Sequence, residues 1–255
     1  MEFYRLGWAK DYAAQLILDD ALELVAARRF PNVEDALHHL WLLHCEFCTE
    51  MGNPLQKVKP FTLNTLSLGG SVSNFPTIVS AIKAWKCKHL CKWISLRTLE
   101  LAAMPSASAY QKEQASMAHH FLCYIRICDG GDLLLNDLET DRACHHGWRF
   151  LRWYQHLATI SFQKDRCAYK LRPKLHNFAH HLLELRDTRE NPAKHALWAA
   201  EDMVGQVKTI GQKCHRVTNS KRTVQKRGLF LHLRAMRARK DPRRLGRVLK
   251  TKLKN

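Results

Sequence analysis

The sequence predicts a mainly α-helical protein: an irregular multi-helix bundle with little or no sheet and a basic helical C-terminal tail. Three observations carry this. Apolar residues recur at helical spacing in one segment after another. No stretch alternates with β-branched enrichment, which leaves only short strands to be sought in 52–76. Ser, Asn, Gly and Pro stand where caps and breaks belong. At 255 residues, 46% hydrophobic and 25% charged, the chain can bury a sizeable core and is not disordered by composition.

The elements follow in order. Around Tyr12–Arg29, Leu18, Ala21, Leu22 and Val25 lie at helical spacing. Asn32 caps the next helix, with Glu34 and Asp35 in its first turn and Val33, Leu37, Leu40, Trp41, His44, Cys48 and Met51 on one stripe. Met51-Gly-Asn-Pro54 ends it. Residues 52–76 read as a loop with at most a short helix near Thr62–Leu68, and a helix is expected from about Thr77 to Ala103. After a break at 104–108, Ser106 or Ser108 caps a helix to about Cys128 with Met117, Phe121, Tyr124 and Cys128 on its stripe. A turn at 129–132 follows. Asn136 and Glu139 form a capping box. The helix they open carries Trp148, Phe150, Leu151, Trp153, Tyr154, Leu157 and Ile160. Pro173 suits the first turn of a helix over 173–187, which Asn191–Pro192 closes. Two more helices are expected near 197–213 and 218–237. The organisation read from this is an N-terminal helical region (1–103), a C-terminal helical domain (104–238) and a basic tail (239–255).

Charge is strongly segregated. The chain has 41 Lys and Arg against 23 Asp and Glu, a net charge of +18. Residues 206–255 hold 17 of those cations and one acid, Asp241, whereas residues 1–205 hold 24 cations and 22 acids. Such asymmetry points to an anionic partner, and its bland counterpart is a solvated basic tail. No run of apolar residues is long enough to span a membrane. The N-terminus lacks the basic-then-apolar plan of a secretory signal, and the odd count of nine cysteines reads as reduced thiols of an intracellular protein.

Two groups of residues have metal-ligand character. Cys45-x2-Cys48, with Cys87, His89 and Cys91 as a second half, invites a zinc reading. Against it, His44 and Cys48 fall on an apolar stripe, where a free thiol behaves as a small hydrophobe. The later group is stronger. His176 and His180 stand one turn apart at the edge of an apolar arc, and Glu201 stands at the border of the next expected helix, with Asp202 pointing further out. His176, His180 and Glu201 could ligate a divalent metal, or a carboxylate could orient an imidazole as general base, with Asp202 as an added carboxylate. The plainer alternative is a buried His–Glu hydrogen bond that fixes helix packing. No other cofactor is implied.

The basic end gives a clearer pattern. On the expected 218–237 helix, Arg222, Lys226, Arg227, Arg234 and Arg237 fall within one arc of about 140° at 100° per residue. Arg243, Arg247, Lys250 and Lys254 form an i, i+4, i+7, i+11 stripe, and Lys208 and Lys213 precede both. Cationic rows of this kind bind phosphate backbones by counterion release and read charge, not sequence. Arg239–Lys240 and Arg243–Arg244 also suit a nuclear-import patch. An anionic membrane surface ranks lower, because the apolar face lacks Trp and Phe anchors.

The pattern KLRPKLHNFAHH, then NP, then EDMVGQVKTIGQKCHRVTNSKRTVQK, resembles a multi-copy family of algal protist genomes, with FTLNTLSLG at 61–69 and the segment 130–158 matching its cadence. That resemblance implies no activity. The same stretch distantly resembles the C-terminal part of RNase H-like DNA transposases, in which a His-containing motif precedes a helix bearing the last metal-binding carboxylate. His176 and Glu201 would be the matching positions. Arg172 stands where that motif has Cys or Asp, and no strands are expected to present the first two aspartates, so the resemblance implies a helical remnant or partner segment. Three functions stay open: a nucleic-acid-associated protein binding DNA or RNA backbones through 208–254, a metal-dependent nuclease or transposase-like phosphoryl transferase, and a scaffold for an acidic protein partner.

Overall fold

A computed structural model describes residues 8–52, 57–69, 72, 74–79, 82 and 84–193. They form a mainly α bundle of six helices: α1 (Trp8–Ala26), α2 (Val33–Glu50), α3 (Ala84–Ala102), α4 (Ala109–Gly130), α5 (Asp137–Gln163) and α6 (Pro173–Thr188). Among the described residues there is no strand, and one isolated antiparallel bridge joins Leu134 to Glu190. The expected helices near 197–213 and 218–237 and the basic tail lie outside the described residues.

Local chemistry sets the helix ends where the sequence marks them. The Asn32 side chain accepts from the Asp35 amide at 2.9 Å. Ser108 and Gln111 close a capping box on α4, and Asn136 and Glu139 close one on α5, so each satisfies two otherwise orphaned amides. Pro173 occupies the first turn of α6, where its missing N–H costs nothing. Three boundaries differ from expectation. Residues 63–67 form hydrogen-bonded turns and not a helix. The third helix starts at Ala84, because Thr77 and Val79 donate instead to the carbonyls of Leu66 and Thr65. The fourth helix runs on through Gly130.

Helix α1 is the centre of the described bundle. From Trp8 to Ala21 all but Lys10 are buried, so this helix is enclosed all round and not only on one stripe. Trp8 stacks on Phe178 of α6 (ring centroids 5.3 Å) and meets Phe121 of α4 edge-on (5.8 Å) and Phe150 of α5 (5.4 Å). Tyr12 adds contacts to Phe121 and Phe150, and its hydroxyl pairs with Ser95 of α3 at 2.6 Å. Helices on both sides of residue 103 therefore share one aromatic core. Such rings contribute large apolar burial plus about 0.5–1.5 kcal/mol per favourable pair.

Enclosing α1 also buries three of its acids, and each of the three finds a distant cation. Asp11 pairs with Arg172, Asp20 with Arg97, and Asp19 with Arg166 at 2.8 Å. Asp19 also accepts from the amides of Gln15 (3.0 Å) and Gln114 (2.6 Å) and from the Tyr110 hydroxyl (3.2 Å). At the other end of the bundle, the buried Asn191 amide donates to the carbonyls of Cys128 and Asp132, tying the end of α6 to the α4–α5 loop.

Candidate functional site

The sites read from the sequence are distributed as follows. His176 and His180 stand on the exposed side of α6 with Nε2 atoms 2.8 Å apart, one turn bringing the rings together as the i, i+4 spacing requires. Glu201, Asp202, Lys208, Lys213, Arg222, Lys226, Arg227, Arg234, Arg237, Arg243, Arg247, Lys250 and Lys254 lie outside the described residues. His44 and Cys48 are fully buried on α2, where His44 Nε2 approaches the Cys48 thiol at 3.5 Å and its ring packs against Trp93 and Phe61. Burial, aided by the nearby His89, pushes His44 down to about 4. Cys87 and Cys91 are buried on α3. Together with Cys45 and His89 these residues form no ligand group among the described residues, and the eight described cysteines are free thiols.

A different cluster emerges from the packing of α4 on α5. His119 and His120 on α4 face His145 and His146 on α5, roughly three turns from the connecting loop on α4 and roughly two and a half on α5. The Nδ1 atoms of His120 and His146 are 2.9 Å apart. One ring nitrogen each from His119, His120 and His146 lies within 4.8 Å of the other two, the one such group of three among the described residues. His119 is exposed, while His120 and His146 are half-buried. Burial, then the neighbouring His146, His119, His145 and Arg149, pushes His120 down to about 4. His146 is lowered by burial and by His145, His119 and Arg142. The sequence does show these residues as two His–His doublets, Ala-His-His-Phe at 118–121 and Cys-His-His-Gly at 144–147. Neither doublet is an i, i+4 pair on one helix, so spacing within a single helix does not mark them.

The same surface is cationic. Arg142, His145, Arg149 and Arg152 are all exposed on α5 and fall within about 80° of arc at 100° per residue. Arg142 to Arg152 covers about 15 Å of helix at 1.5 Å per residue. Asp141 flanks this row, and Glu113 of α4 pairs with His156 further along α5 at 3.5 Å. No helix among the described residues is long and apolar enough to cross a membrane. Compared with known proteins, the chain matches no family model, no curated protein and no solved structure.

Proposed function

We propose that the protein binds nucleic-acid backbones, DNA or RNA, through its basic C-terminal segment, with the helical bundle as its folded body. The observation that carries this reading is the charge segregation: 17 cations and one acid in residues 206–255 of a chain that is otherwise close to neutral. A polyanion returns condensed counterions to solution when such a segment lies along it, which supplies affinity without sequence readout. The exposed arginine row on α5 supports the same reading, since it adds a cationic strip on a rigid helix. Free thiols suit a reducing compartment, and Arg239–Lys240 with Arg243–Arg244 suit nuclear import. The resemblance to transposase C-terminal segments makes descent from a mobile element part of the proposal.

Titration of labelled DNA and RNA with the full chain at several salt concentrations tests it. Affinity that falls steeply with salt supports the reading. Absence of binding at low salt refutes it and turns attention to an acidic protein partner, for which a pull-down in the presence of nuclease is the direct assay.

The second reading is metal-dependent cleavage of the bound polymer by His176, His180 and Glu201, with Asp202 as an added carboxylate. The observation favouring it is the contact between His176 and His180 on an exposed face, where a cation and a phosphodiester have access. Its test is cleavage with Mg²⁺ or Mn²⁺. Loss in Glu201→Ala with binding intact supports it, and cleavage that survives the substitution removes it.

A further inference from the structure

We propose that His119, His120 and His146 form a binding site for one zinc-class divalent cation that joins α4 to α5. Its ligands are other residues than those of the basic segment and the His176–His180 pair, so it stands or falls independently of nucleic-acid binding.

The geometry comes first. A tetrahedral zinc with Zn–N bonds of about 2.0–2.1 Å sets its ligand nitrogens roughly 3.3 Å apart. Here His120 and His146 present Nδ1 atoms at 2.9 Å, and one ring nitrogen from each of His119, His120 and His146 lies within 4.8 Å of the other two. Closing the group on one ion requires the rings to draw together from these separations. His120 and His146 lie with centroids 5.1 Å apart, and His119 and His146 with centroids 6.0 Å apart. The backbones beneath belong to long helices that begin in capping boxes.

The chemistry then narrows the cation. Two neutral imidazoles that point the same ring nitrogen at each other share one proton between two lone pairs, and a metal ion in its place satisfies both. The ligand group contains three imidazoles and no carboxylate, which suits Zn²⁺, Cu²⁺ or Ni²⁺ and not the oxygen-seeking Mg²⁺, Ca²⁺ or Mn²⁺. His119 is exposed, so the fourth position opens to solvent and takes water or a small anion. Arg142 and Arg149 flank the group and favour an anion there, while their charge opposes the bare dication. The Cys123 thiol, 3.6 Å from His119 Nε2, adds a soft neighbour at the edge.

The experiment uses the metal alone and the full chain. Zn²⁺ is titrated against a chromophoric chelator, and Co²⁺ is added separately to read ligand-field absorption. The expected result is one equivalent per chain that depends on His119, His120 and His146, with visible bands typical of tetrahedral cobalt. Affinity should fall at least about tenfold in His120→Ala and in His146→Ala. His119→Ala, at the exposed position of the three, provides the ligand deletion that disturbs the helix interface least, and far-UV circular dichroism of each metal-free variant checks folding. The double replacement of His176 and His180 should still bind one equivalent, lost on further removal of His120 or His146. The proposal is overturned if the wild-type chain binds no zinc at micromolar concentration. It is equally overturned if folded His119→Ala and His146→Ala bind as tightly as wild type, or if the His176/His180 variant is the one that loses the site.

Discussion

Replacing Asp19 with alanine tests how the central helix is held. Asp19 is 6% exposed and takes four donors, from Gln15, Tyr110, Gln114 and Arg166, which reach it from three parts of the chain. Removing one partner of a buried ion pair costs about 3–5 kcal/mol, because the other charge is left without compensation. Two features place this case at the low end. The Arg166 side chain is 41% exposed and can return to water, and the Gln114 amide keeps its second bond, to the Tyr169 hydroxyl at 2.7 Å. The expected loss is therefore about 3 kcal/mol, a large part of the 5–15 kcal/mol typical of a folded domain. Arg166→Ala should cost less, about 1.5–3 kcal/mol, since Asp19 retains three neutral donors. Urea unfolding followed by circular dichroism and tryptophan fluorescence reads both values, with an unchanged dependence on denaturant as the check that only stability moved. A loss below 1 kcal/mol for Asp19→Ala, or a larger loss for Arg166→Ala, would refute this account of the network.

Three further outcomes are expected. Gly147 lies where a Cβ would sit 2.4 Å from Leu182 Cδ2, so Gly147→Ala should lose about 1–3 kcal/mol to overpacking, reduced by up to about 1 kcal/mol of helix propensity. Combined with Leu182→Ala, the total should be less than the sum of the single losses, and simple additivity in equilibrium unfolding would show that α5 and α6 do not meet there. His44 is held down to about 4 against an ordinary 6.5, so the unfolded chain takes up its proton first as pH falls. The stability His44 contributes is complete above pH 6.5 and is lost between 6.5 and 4, about 3 kcal/mol in all. Asp19, raised by burial, works with the opposite sign, gaining stability as pH falls through its own titration. The difference between wild type and His44→Phe isolates the histidine, and parallel pH profiles for the two would contradict the assignment. Finally, Ser108→Ala should cost about 1 kcal/mol through loss of the α4 cap, read as a lowered unfolding midpoint, and an unchanged midpoint would show the cap to be idle.

What the sequence made legible was the local chemistry. Asn32, the Asn136 cap and Pro173 act within one helical turn, so a few neighbouring residues suffice to place them, and for α4 they narrow the cap to Ser106 or Ser108, of which the structure has Ser108. The enclosure of α1 was harder to read. Its acids look like a polar face until Arg97, Arg166 and Arg172 arrive from elsewhere in the chain, and nothing in the helix itself names those partners. The start of the third helix moved for the same reason, since the bonds of Thr77 and Val79 run back to Leu66 and Thr65. His119, His120 and His146 stand close only because α4 and α5 form a hairpin, and each doublet alone carries little signal. The contact between His176 and His180, by contrast, follows from spacing alone, because one helix turn fixes their distance.

The central claim is that the C-terminal segment binds a nucleic-acid backbone, and the salt dependence of binding addresses it most directly. The measurement is the slope of log K against log salt for duplex DNA, with the full chain and with a full-length variant carrying Gln at Arg243, Arg247, Lys250 and Lys254. Each phosphate contact contributes roughly 0.9 to that slope, so removing four cations that all meet phosphates should reduce it by about 3.6. The account predicts a steep slope for the wild-type chain and a flattening of that order in the variant. A wild-type slope near zero, or a variant whose slope and affinity equal those of the wild type, would contradict it.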